Sequence, residues 1–401
     1  MNKIYIPRKK YADQVKPFID KQIIKVFTGQ RRVGKSYLML QIADLIRLAH
    51  PKANIVYIDK ENYTFDHIKN YHDLTKYLES IPKKQSKTYL FIDEVQEIEG
   101  FEKAIRGLVK SSQYDIYLTG SNSQLLSSDL AGTLSGRYIE IRVHPLSFEE
   151  FLLFHRLEKN VDSLEKYMKY GGLPYLVNLH LTDEQVFGYL KNVFDAVVLK
   201  DVISRFAVRN VNFLTRLIEY LANNLGSLVS AKKISDFLKS QNINLSPNTV
   251  LNYLSYISGS FFITKTQRID IAGKKIFEIG EKYYFEDLGM RHVIINFKQV
   301  DINKILENLV YCRLVDTGYT VYVGQMGNTE IDFVGESGGK RIYVQVSYLI
   351  SSDKVAKREF SNLLQIKDNY PKYVVSMDAI AGGNVNGIIH LHVLDFLTQS
   401  L

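Results

Sequence analysis

The eight residues GQRRVGKS, Gly29 to Ser36, constrain this chain more than any other stretch. They follow an apolar, strand-like run, Ile23 to Phe27, and lead into the helical pattern Tyr37 to Leu48. The spelling fits G-x-x-x-x-G-K-[ST]. In such a loop the glycines let backbone N–H groups turn inward around phosphate oxygens, the lysine (Lys35) reaches the outer phosphates and the hydroxyl (Ser36) binds Mg²⁺. The start of the following helix adds positive dipole at the same place. At average residue usage the pattern arises by chance in on the order of 1 in 100 chains of this length, so a solvated turn explains it poorly. Gly29, Gln30, Arg31, Arg32, Val33, Gly34, Lys35, Ser36 and Tyr37 are therefore the expected contacts of ATP.

Upstream, Lys9 to Ile19 reads as a short helix with Tyr11, Val15 and Phe18 on one face. It serves either core packing or, with Arg8, the wall of an adenine pocket. Downstream, Asn54 to Asp59 (NIVYID) reads as a buried strand and Tyr71 to Leu78 as a helix. The next strand, in TYLFIDEVQ, delivers Asp93 and Glu94 to its carboxyl end, where open α/β sheets place ligands. Asp93 is expected to order Mg²⁺ with Ser36, and Glu94 to polarise the attacking water. A fourth strand, Tyr114 to Thr119, runs into GSNS. There Ser121 is expected near the γ-phosphate or its water, while capping of a following helix by Ser121 or Ser123 stands equally open. LSGRY sets Arg137 just ahead of a fifth strand, Tyr138 to Val143. A guanidinium there can balance transition-state charge, and a surface ion pair is the plain alternative.

From Ser147 to Arg205 the pattern is helical, opened by the capping box Ser147 to Glu150 and broken by Gly171-Gly172-Leu173-Pro174. Phe213 to Leu225, Ser230 to Ser240 and Ser246 to Ile257 read as three helices, followed by a strand, Phe261 to Gln267, a basic turn and a strand near Ile276. Between Ala231 and Lys275, Lys232, Lys233, Lys239, Lys265, Arg268, Lys274 and Lys275 outnumber Asp236 and Asp270, seven less two giving +5. That suits a phosphate-facing stripe. The third helix, however, points only Asn248, Thr249, Asn252 and Ser255 outward, a weak base-reading face. The last part holds a helix with Glu307, a hairpin Thr320 to Val334, a strand Arg341 to Ser347, a helix Ala356 to Ile366 and strands at Tyr373 and Ile388. EIDFV places Glu330 and Asp332 on one strand face, and YVQVS places Gln345 and Ser347 on the next strand. His390 and His392 alternate on a late strand without a third metal ligand in view.

Taken together, GQRRVGKS, FIDEVQ, LTGSNS, LSGRY, HPLSFEEF and GGLP resemble the bacterial and archaeal AAA-type ATP-binding proteins of the additional-strand, catalytic-glutamate branch, whose C-terminal domain is of unknown function. The resemblance implies an α/β fold: a P-loop parallel sheet of order 5-1-4-3-2 with a helical lid, a winged-helix segment and a C-terminal restriction-endonuclease-like domain. The corresponding divisions are 1–146, 147–208, 209–288 and 289–401. It further implies ATP and Mg²⁺ as ligands, hydrolysis, Ser121 as a sensor, Arg137 as an arginine finger reaching a neighbouring subunit, and Pro174 of GGLP at the adenine. A plain helix stop explains GGLP as simply. The tail resembles the PD-(D/E)XK core, whose chemistry needs a carboxylate on one strand and an acid-x-lysine on the next. Glu307 and Asp332 supply acids, but Gln345 is a poor Mg²⁺ ligand and Ser347 cannot replace a lysine's charge. A nuclease fold without nuclease activity is expected.

Composition narrows the setting. The 401 residues, 46% hydrophobic, suffice for several cores, and the single cysteine, Cys312, rules out an internal disulfide. No apolar run approaches the roughly 18 residues of a membrane span, and MNKIYIPRKK lacks the apolar core of a signal peptide, so a cytoplasmic location is expected. The net charge of +8 admits non-specific DNA or an acidic protein as partner. The expected function is ATP hydrolysis coupled to conformational change, with a nucleotide-dependent homo-oligomer in view. A nucleic-acid-binding module with a regulatory ATPase and a nuclease with an aberrant metal site are the alternatives.

Overall fold

The computed structural model describes residues 5–82, 87–122, 136–208, 210–241, 243–273, 280–350, 353–379 and 383–399. Its contacts divide the chain into two units, one running to His144 and including Gly259–Phe261, the other comprising Pro145–Ser258 and the chain from Phe262 onward.

In the first unit the apolar runs become five strands: β1 (Ile24–Thr28), β2 (Asn54–Asp59), β3 (Thr88–Asp93), β4 (Tyr114–Gly120) and β5 (Tyr138–Arg142). All pair in parallel, in the order β2-β3-β4-β1-β5, which is the expected order viewed from the other edge. Central β1, β3 and β4 are buried on both faces and therefore read as continuous apolar runs, whereas β2, at one edge, alternates buried and half-buried residues. One face packs Val26, Ile58, Leu90, Ile92 and Leu118 against Leu74 and Ile105 of the helices Tyr71–Ser80 and Phe101–Lys110. The helix Lys35–Ala49 buries Leu38, Met39, Ile42 and Ile46, the three-and-four spacing of a single face. Register brings the carboxyl ends level: Asp59 lies beside Asp93, and Phe27 beside Thr119. At the opposite end Lys25 of β1 and Asp115 of β4 form a fully buried ion pair, with the Tyr117 hydroxyl donating to Asp115 at 2.9 Å.

The second unit begins with the helices Phe148–His155 and Val161–Tyr170, the 3₁₀ turn Pro174–Asn178 and the helix Asp183–Ala196, which continues as a π-helix through Val197–Ser204. The capping box forms as its spacing predicts: Glu150 N donates to Ser147 Oγ at 3.2 Å and Ser147 N to Glu150 Oε2 at 3.1 Å. Three helices follow, Val211–Asn223, Ala231–Ser240 and Pro247–Gly259. The hairpin after them differs from expectation. β6 (Ile263–Thr266) pairs antiparallel with β8 (Lys282–Phe285), while β7 (Arg268–Asp270) leaves to join β9 in parallel; Ile276 lies outside the described residues. The remaining strands are β9 (Thr320–Met326), β10 (Thr329–Ser337), β11 (Lys340–Val346), β12 (Lys372–Ser376), β13 (Gly383–Val385) and β14 (Ile388–His392). They form a seven-stranded mixed sheet in the order β13-β14-β12-β11-β10-β9-β7. Ile331, Val334, Tyr343, Val374 and Ile388 build its core with Phe360 and Leu363 of the helix Asp353–Leu364. No helix among the described residues is long and apolar enough to cross a membrane.

Candidate functional site

The loop after β1 owes its path to two glycines. Gly29 has φ 139°, and a Cβ there would stand 2.1 Å from the Val143 carbonyl oxygen; Gly34, at φ 94°, turns the chain into the helix that begins at Lys35. Arg8 clamps the loop from beneath, its guanidinium donating to Val33 O at 3.1 Å and His144 O at 2.9 Å. Arg8 is thus committed to the loop backbone, and Tyr11 and Val15 are fully buried, which is the packing role for this helix. Lys35, 5% exposed, donates to the carbonyls of Gly29 at 2.9 Å and Gln30 at 3.1 Å. Beside it the Gln30 side chain is buried, and neither its amide oxygen nor its nitrogen has a hydrogen-bond partner. An orphaned buried amide is costly, and a polar ligand in the loop would satisfy it. Arg31 pairs with Glu61 at 3.2 Å; Arg32 and Tyr37 are exposed and Val33 is buried.

At the strand ends the acids stand where the loop can use them. Asp93 is buried and accepts from Thr119; the Tyr57 hydroxyl lies 3.3 Å from its other oxygen. Burial raises its pKa, and the Ser36 and Thr119 hydrogen bonds oppose the rise. Glu94 has a left-handed backbone, φ 53°, and its amide donates to Thr119 Oγ1 at 2.8 Å. Its carboxylate accepts from Gln96 and from Ser121 Oγ, the latter at 3.2 Å. Burial pushes the carboxyl up, but Lys35, Gln96, Arg31 and Ser121 outweigh it and hold the pKa below the ordinary value. Glu94 is therefore an anion at neutral pH. A hydroxyl and a carboxylate close enough to act on one another, Ser36 and Asp93, are the hard oxygen donors Mg²⁺ takes, so these residues fit the ion.

Arg137 is exposed just before β5, its carbonyl accepting from Ile24 N at 2.9 Å, and its side chain has no partner among the described residues. Ser123 lies outside the described residues. Pro174 belongs to the second unit, where internal contacts account for the glycines before it. A Cβ on Gly172 would stand 2.5 Å from Leu146 O, and one on Gly171 would stand 2.3 Å from Asp287 Oδ1.

Sequence reasoning missed Thr119 and Tyr57, which hold Asp93 from neighbouring strands. The only available signal was their place near the ends of their own strands, which matters once the parallel register is known.

In the second unit Glu307, Asp332, Gln345 and Ser347 line one cavity of ≈480 Å³ with Glu330 and Glu359. Ser347 brings no charge, but a lysine from elsewhere in the chain stands in the cluster. Lys282 of β8, outside the 289–401 segment, reaches Glu307 and Glu330, each at 2.9 Å. The basic stripe is also reduced: Lys232, Lys233 and Lys239 are exposed on one helix, but Lys265 pairs with Glu281 at 2.9 Å and Arg268 donates to Gln325 at 2.6 Å within the sheet region. Lys274 and Lys275 lie outside the described residues. Asn248, Asn252 and Ser255 are exposed and Thr249 half-buried. His390 is bonded to Ser376 Oγ at 2.8 Å and His392 accepts from Leu394 N at 3.2 Å, so each is engaged separately. Among the described residues no group of three or more His, Cys, Asp or Glu is placed to hold a metal ion.

Comparison with known proteins agrees with the first unit's geometry. The family described as an AAA domain matches residues 21–152, and the one described as a domain of unknown function (DUF8612) matches residues 161–301. An uncharacterized protein of Haemophilus influenzae is 37% identical over 100% of both chains. One of Methanocaldococcus jannaschii is 32% identical over 81% of this chain and 74% of its own. Among solved structures, a Walker-type ATPase of Pyrococcus abyssi aligns with TM-score 0.51 at 16% identity, covering 73% of this chain and 96% of that one.

Proposed function

Because the chain belongs to one family with its Haemophilus relative, which it matches from end to end, and matches an AAA domain over residues 21–152, we propose that it binds Mg·ATP at Gly29–Ser36 and hydrolyses it. The observation that carries this reading is the phosphate loop set against the strand-end acids, Lys35 acting on Glu94 and Ser36 on Asp93, at the carboxyl end of a five-stranded parallel sheet. Loop amides from Gln30 to Ser36 surround the phosphates, and Lys35 exchanges its two carbonyl partners for outer phosphate oxygens. Gln30 gives its orphaned amide to the nucleotide, while Arg31, Arg32, Val33 and Tyr37 shape the approach. Ser36 and Asp93 would hold Mg²⁺, which would neutralise charge on the outer phosphates. Glu94, ionised and fixed by Gln96 and Ser121, orients water for in-line attack, and Ser121 relays the presence of the γ-phosphate to it. Arg137 stabilises transition-state charge in a neighbouring subunit, and Pro174 meets the adenine.

The rest of the reading assigns 147–208 as lid, 209–288 as winged-helix-like and 289–401 as a PD-(D/E)XK-like fold without catalysis, moved by nucleotide state. A second reading, a nucleic-acid binder with a regulatory ATPase, is favoured by the three exposed lysines on Ala231–Ser240; turnover with and without DNA separates the two.

Titration calorimetry tests the site. Lys35→Ala should weaken Mg·ATP binding about 10- to 100-fold, the worth of charge-assisted hydrogen bonds. Glu94→Gln should keep ATP bound and unhydrolysed. Equal affinity in wild type and Lys35→Ala would end the assignment.

A further inference from the structure

Three acids from two elements converge on one ammonium in the second unit. Lys282 opens β8, Glu307 lies on the helix Ile302–Asp316, and Glu330 and Asp332 lie on β10 where its pairing with β9 shifts register. The Lys282 side chain is 4% exposed, and its Nζ stands 2.9 Å from both Glu307 Oε1 and Glu330 Oε1. Glu307 also accepts from the Tyr284 hydroxyl at 2.6 Å, and Asp332 Oδ2 from Val346 N at 2.8 Å. Burial pulls the ammonium's pKa down, but Glu307, Asp332 and Glu330 outweigh it and hold the charge firmly on. Burial, then Glu307, pushes the Asp332 carboxyl above its usual range.

A divalent ion in this cluster would need the oxygens of Glu307 and Asp332 free to coordinate it at close range, and more than one carboxylate charge to replace its water. The residues present do not fit that requirement. Glu307 Oε1 takes both Lys282 and Tyr284, Asp332 Oδ2 is bonded to the β11 backbone, and Gln345 brings no charge. Yet the cavity is large enough for a hydrated ion and its wall is acidic, so something must balance it.

We propose that the Lys282 ammonium is the resident cation of this cluster, standing between Glu307 and Glu330 in place of a divalent metal. The site is a strut joining β8, the helix Ile302–Asp316 and β10 through charge, and removing the lysine converts it into a metal site. This rests on no part of the ATPase reading.

The test is Mn²⁺ titration of the nucleotide-free full chain, read by the electron spin resonance of free Mn²⁺. Wild type should show no Mn²⁺ site that Glu307→Gln removes. Lys282→Met should gain one Mn²⁺ per chain, at least about tenfold tighter than any wild-type background because the carboxylates are left without a cation. Lys282→Met combined with Glu307→Gln should lose it again. A wild-type Mn²⁺ site lost in Glu307→Gln would overturn the proposal, as would a folded Lys282→Met protein that gains none. Should Lys282→Met not fold, by far-ultraviolet circular dichroism, the comparison of wild type with Glu307→Gln still decides.

Discussion

Thr119 uses both capacities of its hydroxyl, donating to Asp93 and accepting the Glu94 amide. Thr119→Val keeps the shape and removes both bonds, leaving the Glu94 N–H without its partner; the cost should be about 1–3 kcal/mol in chemical denaturation. Because the Thr119 bond holds the Asp93 pKa down against burial, its loss should raise that pKa further and move the acidic limb of the ATPase pH profile upward. An unmoved limb would show that Thr119 does not act through Asp93. Asp93 and Glu94 are legible in the sequence because they end an apolar run, a local pattern. Thr119 and Tyr57 are not, because their relation to Asp93 exists only across hydrogen-bonded strands. Lys282 shows the same limit more sharply: it completes a cluster whose acids lie 25 to 50 residues later.

Elements announce themselves when their signals are contiguous. The S-x-x-E box at Ser147, the apolar strands and the helices around Tyr71 and Val211 all emerge close to the expected limits. The wing hairpin does not, because strand partnership is a choice among distant edges: β6 finds β8, and β7 is drawn to the open edge of β9. The helix Leu288–Ile295 is held by similar long-range ties. Its cap Asp287 accepts from Met290 N at 3.0 Å and Gly172 N at 2.7 Å, and its His292 contacts the Lys169 carbonyl at 3.0 Å. Burial pushes the His292 pKa down to about 4. The folded protein therefore binds a proton less readily than the unfolded chain, and stability that is full above about pH 6.5 is lost as pH falls toward 4. At 1.36 kcal/mol per unit the loss is on the order of 3 kcal/mol. Asp287, raised to about 6 by burial, works in the opposite sense below that pH, so the measurement is a difference. The stability advantage of wild type over His292→Gln in urea should shrink between pH 6.5 and 4. An advantage independent of pH, or an imidazole titrating near 6.5 by NMR, would contradict this account.

On the scale of the whole molecule, Arg137 carries the prediction that reaches beyond one chain. It is exposed and without a partner among the described residues, and the role proposed for it in a second subunit sets three outcomes. Specific ATPase activity should rise with protein concentration, Arg137→Ala should lower kcat by about 10³-fold or more, and mixing it with Lys35→Ala protein should restore part of the activity. Concentration-independent turnover by a monomer would refute it. By itself the sequence determined the phosphate loop, the acids at the end of β3 and most of the elements of the first unit, because each is written in neighbouring residues whose spacing matches a backbone period; the order of the sheet was implied by the family resemblance. Tertiary structure alone decided which side chains hold Asp93 and Glu94, that β7 joins the large sheet, and that the acids around Asp332 already have a lysine. Those outcomes depend on strand register and on burial, through which residues far apart in the chain come within hydrogen-bonding distance and change one another's charge.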